Sequence, residues 1–138
     1  MSIIKLIDAA YERLYDNCGS DDERLLVNAL YKQLDVTNTQ QVAFFLSLRN
    51  QIEVIPNRRF RLDFAAVFEG KKYALEFEGG CYSRGIASVG YRSIGGYKKH
   101  VAKYNVLAAN GWLVFRFQND SQQLQAVWDV LGLKNDII

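Results

Sequence analysis

Asp63, Glu76 and Glu78 are the residues of this chain whose types and spacing could do chemistry. Residues two apart in a strand share a face, so Glu76 and Glu78 point the same way if residues 73–78 are extended. Glu69-Gly70 reads as a tight turn between two alternating segments. A turn centred near residue 70 sets Asp63 across from Glu76 or its neighbour. The three carboxylates then fall within one cross-strand spacing, roughly 5 Å by ladder geometry. Like charges at that range raise one another's pKa, so the cluster calls for a cation. Hard oxygen donors with few nitrogens or sulfurs suit Mg²⁺ or Mn²⁺. Such an ion would neutralise the cluster and activate a water. The bland alternative is a solvent-facing strand, where glutamates at successive outward positions are ordinary.

The elements that must position these groups are legible from period. Ile3, Ile7, Ala10 and Leu14 recur at helical steps over residues 2–17. Ser20-Asp21-Asp22-Glu23 is a capping box opening a second helix lined by Leu26, Ala29, Leu30 and Leu34. Residues 38–48 fit either a short helix or an irregular turn. The period then changes to two: Ile52 and Val54, then Phe60, Leu62, Phe64 and Ala66, then Tyr73, Leu75 and Phe77 predict a three-stranded meander. Leu62, Phe64, Leu75 and Phe77 are expected to form the buried face opposite the carboxylates. Helix signals return at Tyr97 and stop at Asn110-Gly111. Trp112–Phe117 reads as a fourth strand and residues 120–131 as one closing helix, with Trp128 in its core face. The order implies an α/β fold, helices packed on a mixed four-stranded sheet.

The 138 residues suit a single domain, with helices over 1–48, a core over 50–118 and a C-terminal helix over 119–138. At 49% apolar and 23% charged residues, the chain is globular rather than disordered. No apolar run reaches the ~20 residues of a membrane span, and Cys18 and Cys81 are too few for a disulfide framework. A soluble, cytoplasmic protein without membrane attachment is the expectation. Net charge is only +2, but its distribution is uneven. Acids dominate the first third, and Lys and Arg crowd positions 58 to 103, as a phosphate-binding surface or merely a solvated charged face would. Residues 79–96 hold six of the ten glycines and no apolar period. Arg84, Arg92, Lys98 and Lys99 follow the acidic strand and precede or open the next helix, a placement that predicts contact with a nucleic-acid backbone.

The ordered set Asp63, the hairpin, Ala74-Leu75-Glu76-Phe77-Glu78-Gly79-Gly80, Lys103-Tyr104-Asn105 and Gly111-Trp112-Leu113-Val114-Phe115-Arg116-Phe117 resembles the PD-(D/E)XK nuclease superfamily. It is most similar to the very-short-patch-repair-like and phage or bacterial endonuclease branches, over roughly residues 50–118. The resemblance implies a restriction-endonuclease-like core and Mg²⁺- or Mn²⁺-dependent hydrolysis of DNA phosphodiesters. It implies Asp63, Glu76 and the Phe77 carbonyl as metal ligands, with Glu23 as a supporting one. Lys103 would orient the water or hold the phosphate, and Glu78 would add a ligand or take the water's proton. Glu78 stands where the family's lysine would be. Some members carry glutamate there, and others move the lysine to the following helix, where Lys103 lies. His100 replaces an acidic residue common one turn earlier. The family is compatible with a homodimer. The rival expectation is a module that kept the fold, lost catalysis, and binds nucleic acid or a protein.

Overall fold

A computed structural model describes residues 2–53, 61–78, 94–119 and 121–134, with the backbone alone for 94–100. Expectations that fall on Val54, Phe60, Cys81, Arg84 or Arg92, or on the side chains of Lys98, Lys99 and His100, lie outside these residues.

Three helices come first, each started by a side-chain cap that satisfies amides the first turn leaves unpaired. Helix α1 spans Ile3–Asp16 with Ser2 as cap and buries Ile7, Ala10 and Leu14. Helix α2 spans Asp21–Lys32, capped by Ser20. Helix α3 spans Thr39–Ser47, and Asn38 Oδ1 accepts from the amides of Gln40 and Gln41. The segment over 38–48 is therefore a helix. Its capped start organises apolar residues that fit no single period, since Val42, Phe44 and Phe45 are all buried.

Strands β1 (Arg49–Glu53), β2 (Arg61–Phe68) and β3 (Lys71–Phe77) form the expected antiparallel meander. Helix α4 (Ile94–Ala109) begins three residues before the expected Tyr97 and returns the chain to β4 (Trp112–Phe117), which pairs parallel to β3. The result is an α/β fold with one open mixed sheet of order β1-β2-β3-β4. No helix among the described residues is long and apolar enough to cross a membrane.

The β2–β3 turn carries positive φ at both Glu69 (50°) and Gly70 (76°), the conformation that lets a two-residue loop match strand twist. Glycine adopts it freely, whereas glutamate does so at a cost. Glu69→Asn is therefore expected to raise stability by about 0.5–1 kcal/mol, measured by urea unfolding. No change, or a loss, would mean that the turn stores no strain at Glu69.

Alternation along the strands builds two cores. The larger joins Phe64, Ala66, Phe68, Tyr73, Leu75 and Phe117 to the N-terminal helices and the C-terminal segment, and Phe44 meets Phe68, Tyr73 and Trp128 edge-on. The smaller lies towards α4 and joins Leu62, Ala65, Ala74 and Leu107. Two expectations need correcting here. Leu62 is fully buried but clusters with Ala65 and Leu107 rather than with Phe64, and Phe77 is only half-buried. The closing helix is also not one helix but two short ones, α5 (Gln122–Gln125) and α6 (Val127–Val130), broken at Ala126. Gln33, the C-cap of α2, bridges the break: its Nε2 donates to the Leu124 carbonyl at 3.0 Å and its Oε1 accepts from the Val127 amide at 3.1 Å. Backbone groups freed by the break are thus satisfied from a neighbouring helix.

Candidate active site

The β2–β3 register runs from Phe64↔Leu75 to Phe68↔Lys71. Continued by one residue, it sets Asp63 opposite Glu76, as the hairpin arithmetic requires. At that point side chains take over the ladder. The Asp63 amide donates to Glu76 Oε2 at 2.8 Å, and the Phe77 amide donates to Asp63 Oδ2 at 2.8 Å. The β1–β2 pairing is interrupted at the same level. Its partners pass from Asn50↔Phe64 to Ile52↔Leu62, and Gln51 between them has φ +51°. A glutamine held in the left-handed region stores strain of the kind that concentrates at functional sites. Asp63 therefore marks a level where both neighbouring ladders lose their regular pattern. Leu62, just beyond it, is where strict alternation of faces fails.

Three further contacts fix the carboxylates. Lys103 of α4 donates to Glu76 Oε1 and, at 2.6 Å, to the Arg61 carbonyl. Glu76 is 4% exposed, so the ammonium neutralises a charge that water scarcely reaches. Glu23 is also buried. Its carboxylate accepts from the Ser20 hydroxyl (3.0 Å), the Gly19 amide (3.2 Å) and Gln51 Nε2 (2.7 Å). The expected capping box forms in a shifted version: the Glu23 amide donates to Ser20 Oγ, but the carboxylate takes the Gly19 amide and the Ser20 hydroxyl. Gly19 leaves the room this requires: a Cβ there would come within 3.1 Å of a Glu23 oxygen. Glu23 serves the helix start and also adds its charge to the field at Asp63.

Burial is the main cause that pushes the Asp63 carboxyl up to about 7, with the Glu76 and Glu23 charges adding to it. The Phe77 amide and Lys103 pull the other way.

Glu78 departs from the expected trio. It is buried, but its Oε1 accepts from the Tyr104 hydroxyl at 2.5 Å and from Arg116 Nε at 2.7 Å. The Arg116 guanidinium lies 4.3 Å from the Tyr104 ring centre, a cation–π contact that fixes its plane. Burial, then the bond to Glu78, raises the Tyr104 hydroxyl above its ordinary value. Glu78 and Arg116 open onto a cleft of about 320 Å³ that Gln118 and Gln123 also line. Among the described residues, no three Asp, Glu, His or Cys side chains stand together as a ready-made metal cage. The reason is local: Arg116 and Tyr104 draw Glu78 towards β4 and α4, while Asp63 and Glu76 bond to each other's strands.

The structure thus unites Asp63, Glu76 and Lys103, sets Glu23 within electrostatic reach, and gives Glu78 other partners. Tyr104 and Gln51 belong to the site although neither carried a chemical signal in the sequence. Tyr104 stands in the Lys103-Tyr104-Asn105 motif beside the lysine but carries no role there, and nothing marks a glutamine for positive φ. Arg116 could be found, because parallel pairing sets it beside Glu76 and so near Glu78. Comparison of the chain with protein-family models, curated proteins and solved structures found no match, so the reading of this site rests on its own chemistry.

Proposed function

We propose that the chain is a Mg²⁺- or Mn²⁺-dependent nuclease with a restriction-endonuclease-like core, hydrolysing DNA phosphodiester bonds. The observation that carries this reading is the buried Asp63–Glu76 pair at the opened ladder, with Lys103 on it. Open α/β sheets bind ligands beyond the carboxyl ends of their strands, and Glu76, Glu78 and Arg116 stand at those ends of the parallel β3–β4 pair.

The donor set fits Mg²⁺. That ion keeps several waters and commonly uses one or two carboxylates together with substrate phosphate. Asp63 and Glu76 would hold it, with the Phe77 carbonyl beside them on the family pattern and Glu23 in support. Three carboxylates in electrostatic contact against one lysine leave negative charge for a cation to neutralise. The ion would supply an activated water and charge stabilisation at the phosphate. Lys103 uses two of its three ammonium donors on Glu76 and Arg61, and the third is available to a phosphate oxygen. Glu78 holds the Arg116 guanidinium at the cleft, where it can meet an incoming phosphate.

A second reading has its own support. Glu76 has both oxygens engaged and Glu78 is diverted, as in a fold kept for binding DNA or a protein after catalysis was lost. Conversion of supercoiled plasmid to nicked circles distinguishes the two. The expected result is nicking that needs Mg²⁺ or Mn²⁺, stops with EDTA and is absent in Asp63→Ala. Intact plasmid with every divalent ion, alongside retained DNA binding, would replace the enzyme by the binding module.

A further inference from the structure

Away from the acidic pair, Arg13 of α1 and Arg49 of β1 converge on one atom. Each donates from Nη1 to the Leu48 carbonyl at 2.9 Å, and Arg49 Nη1 also reaches the Leu46 carbonyl at 2.9 Å. Sharing one acceptor brings two guanidiniums within a few ångströms of each other. Neither forms an ion pair among the described residues. Helix α3 ends here, and its exposed carbonyls favour a nearby cation. One arginine satisfies that end, and the second adds repulsion. The cost is visible at Arg13, whose pKa is lowered by burial and by Arg49.

The pair opens onto a cleft of about 250 Å³ that Asn17, Asn50, Gln51 and Ile52 also line. Gln51 joins this cleft to the acidic site, since its amide donates to Glu23 at 2.7 Å and it sits across from Asp63. Each guanidinium carries five donors in a planar fork suited to phosphate oxygens, and few of the ten are used. We propose that Arg13 and Arg49 form a phosphate subsite that grips the backbone of the nucleic-acid strand whose cleavage is assigned to Asp63 and Glu76. This rests on the nuclease reading for the identity of the strand. It adds a contact beside β1, far in sequence from the basic residues that follow Glu78.

The test is binding of a short duplex of arbitrary sequence in EDTA, where cleavage cannot intervene, measured by anisotropy against salt. Wild type is compared with Arg13→Gln/Arg49→Gln and with Arg13→Lys/Arg49→Lys. Losing one phosphate contact flattens the log–log salt slope by about one unit. The glutamine pair is expected to bind roughly tenfold more weakly with that flatter slope, while the lysine pair keeps the slope because it keeps the charge. Thermal midpoints identify a fold defect, and a merely structural role would leave the slope of the folded fraction unchanged. Equal affinity and slope in all three proteins would overturn the subsite, as would absence of duplex binding by wild type. A midpoint raised by inorganic phosphate in wild type alone, with DNA binding equal throughout, would make this a small-anion site and also overturn the proposal. Wild type that never nicks plasmid yet shows the expected slope change would defeat the nuclease and leave the subsite standing.

Discussion

Lys103→Met is expected to cost about 3–5 kcal/mol of stability, as measured by urea unfolding near pH 7.5 in EDTA. The side chains of Lys103 and Glu76 are 19% and 5% exposed, so removing the ammonium strands a carboxylate that water hardly reaches. The Asp63 amide remains as a donor to Glu76 and limits the damage without neutralising the charge. The double variant Lys103→Met/Glu76→Gln should recover most of the loss, because no buried charge is left unpaired. Mg²⁺ should stabilise Lys103→Met more than wild type, since the ion would replace the missing cation, whereas the double variant should gain little. A single variant as stable as wild type would show that the pair is solvated. Rescue by the double variant but indifference to Mg²⁺ would keep the pair as structure and remove it from a metal site.

The parts of this arrangement that were legible in the sequence are those set by short-range rules. Ser20 three residues before Glu23 announces a capping box, and the two do bond each other, with the Glu23 carboxylate reaching the Gly19 amide one residue earlier. Glu69-Gly70 fixes a two-residue turn, and turn length fixes register, so the pairing of Asp63 with Glu76 follows from counting. Counting fails where side chains replace backbone partners. Strict alternation sends Leu62 to the face of Phe64, but the Asp63 and Glu76 carboxylates take over the ladder one residue earlier, and Leu62 packs near Leu107 instead.

Other misses have a longer range. Alternation expects Glu76 and Glu78 on one face, but Glu78 lies one residue past the end of β3, and what separates them is a choice of partners from elsewhere in the chain. Lys103 takes the first, and Tyr104 with Arg116 takes the second. Two neighbouring residues on α4 thus divide the carboxylate of β3 from the one just past its end, a division that depends on how the helix lies over the sheet. Period alone also cannot place the break between α5 and α6. The side chain that stabilises it, Gln33, lies about ninety residues earlier.

Metal-free protein should lose stability relative to Asp63→Asn as pH rises from about 4 to 8. The Asp63 carboxyl is raised from an ordinary 3.8 to about 7, chiefly by burial and then by the Glu76 charge. Across that interval the folded chain holds the proton more tightly than the unfolded chain does. Protonation at Asp63 therefore favours folding below about 4, and the advantage disappears as pH passes 7. A shift of this size corresponds to at most about 4 kcal/mol. Asparagine keeps an oxygen for the Phe77 amide and carries no charge, so its difference from wild type should be small near pH 4 and should favour the variant near pH 8. Thermal midpoints of both proteins in EDTA, at half-unit pH steps, measure this directly. Mg²⁺ should reverse the order at pH 8, because the ion binds the ionised carboxylate and stabilises only the wild type. Parallel pH profiles in EDTA would mean that Asp63 is already well solvated or well paired when ionised. Diverging profiles with no response to Mg²⁺ or Mn²⁺ would leave a strained acidic pair with no ion to relieve it, and would favour the binding module over the enzyme.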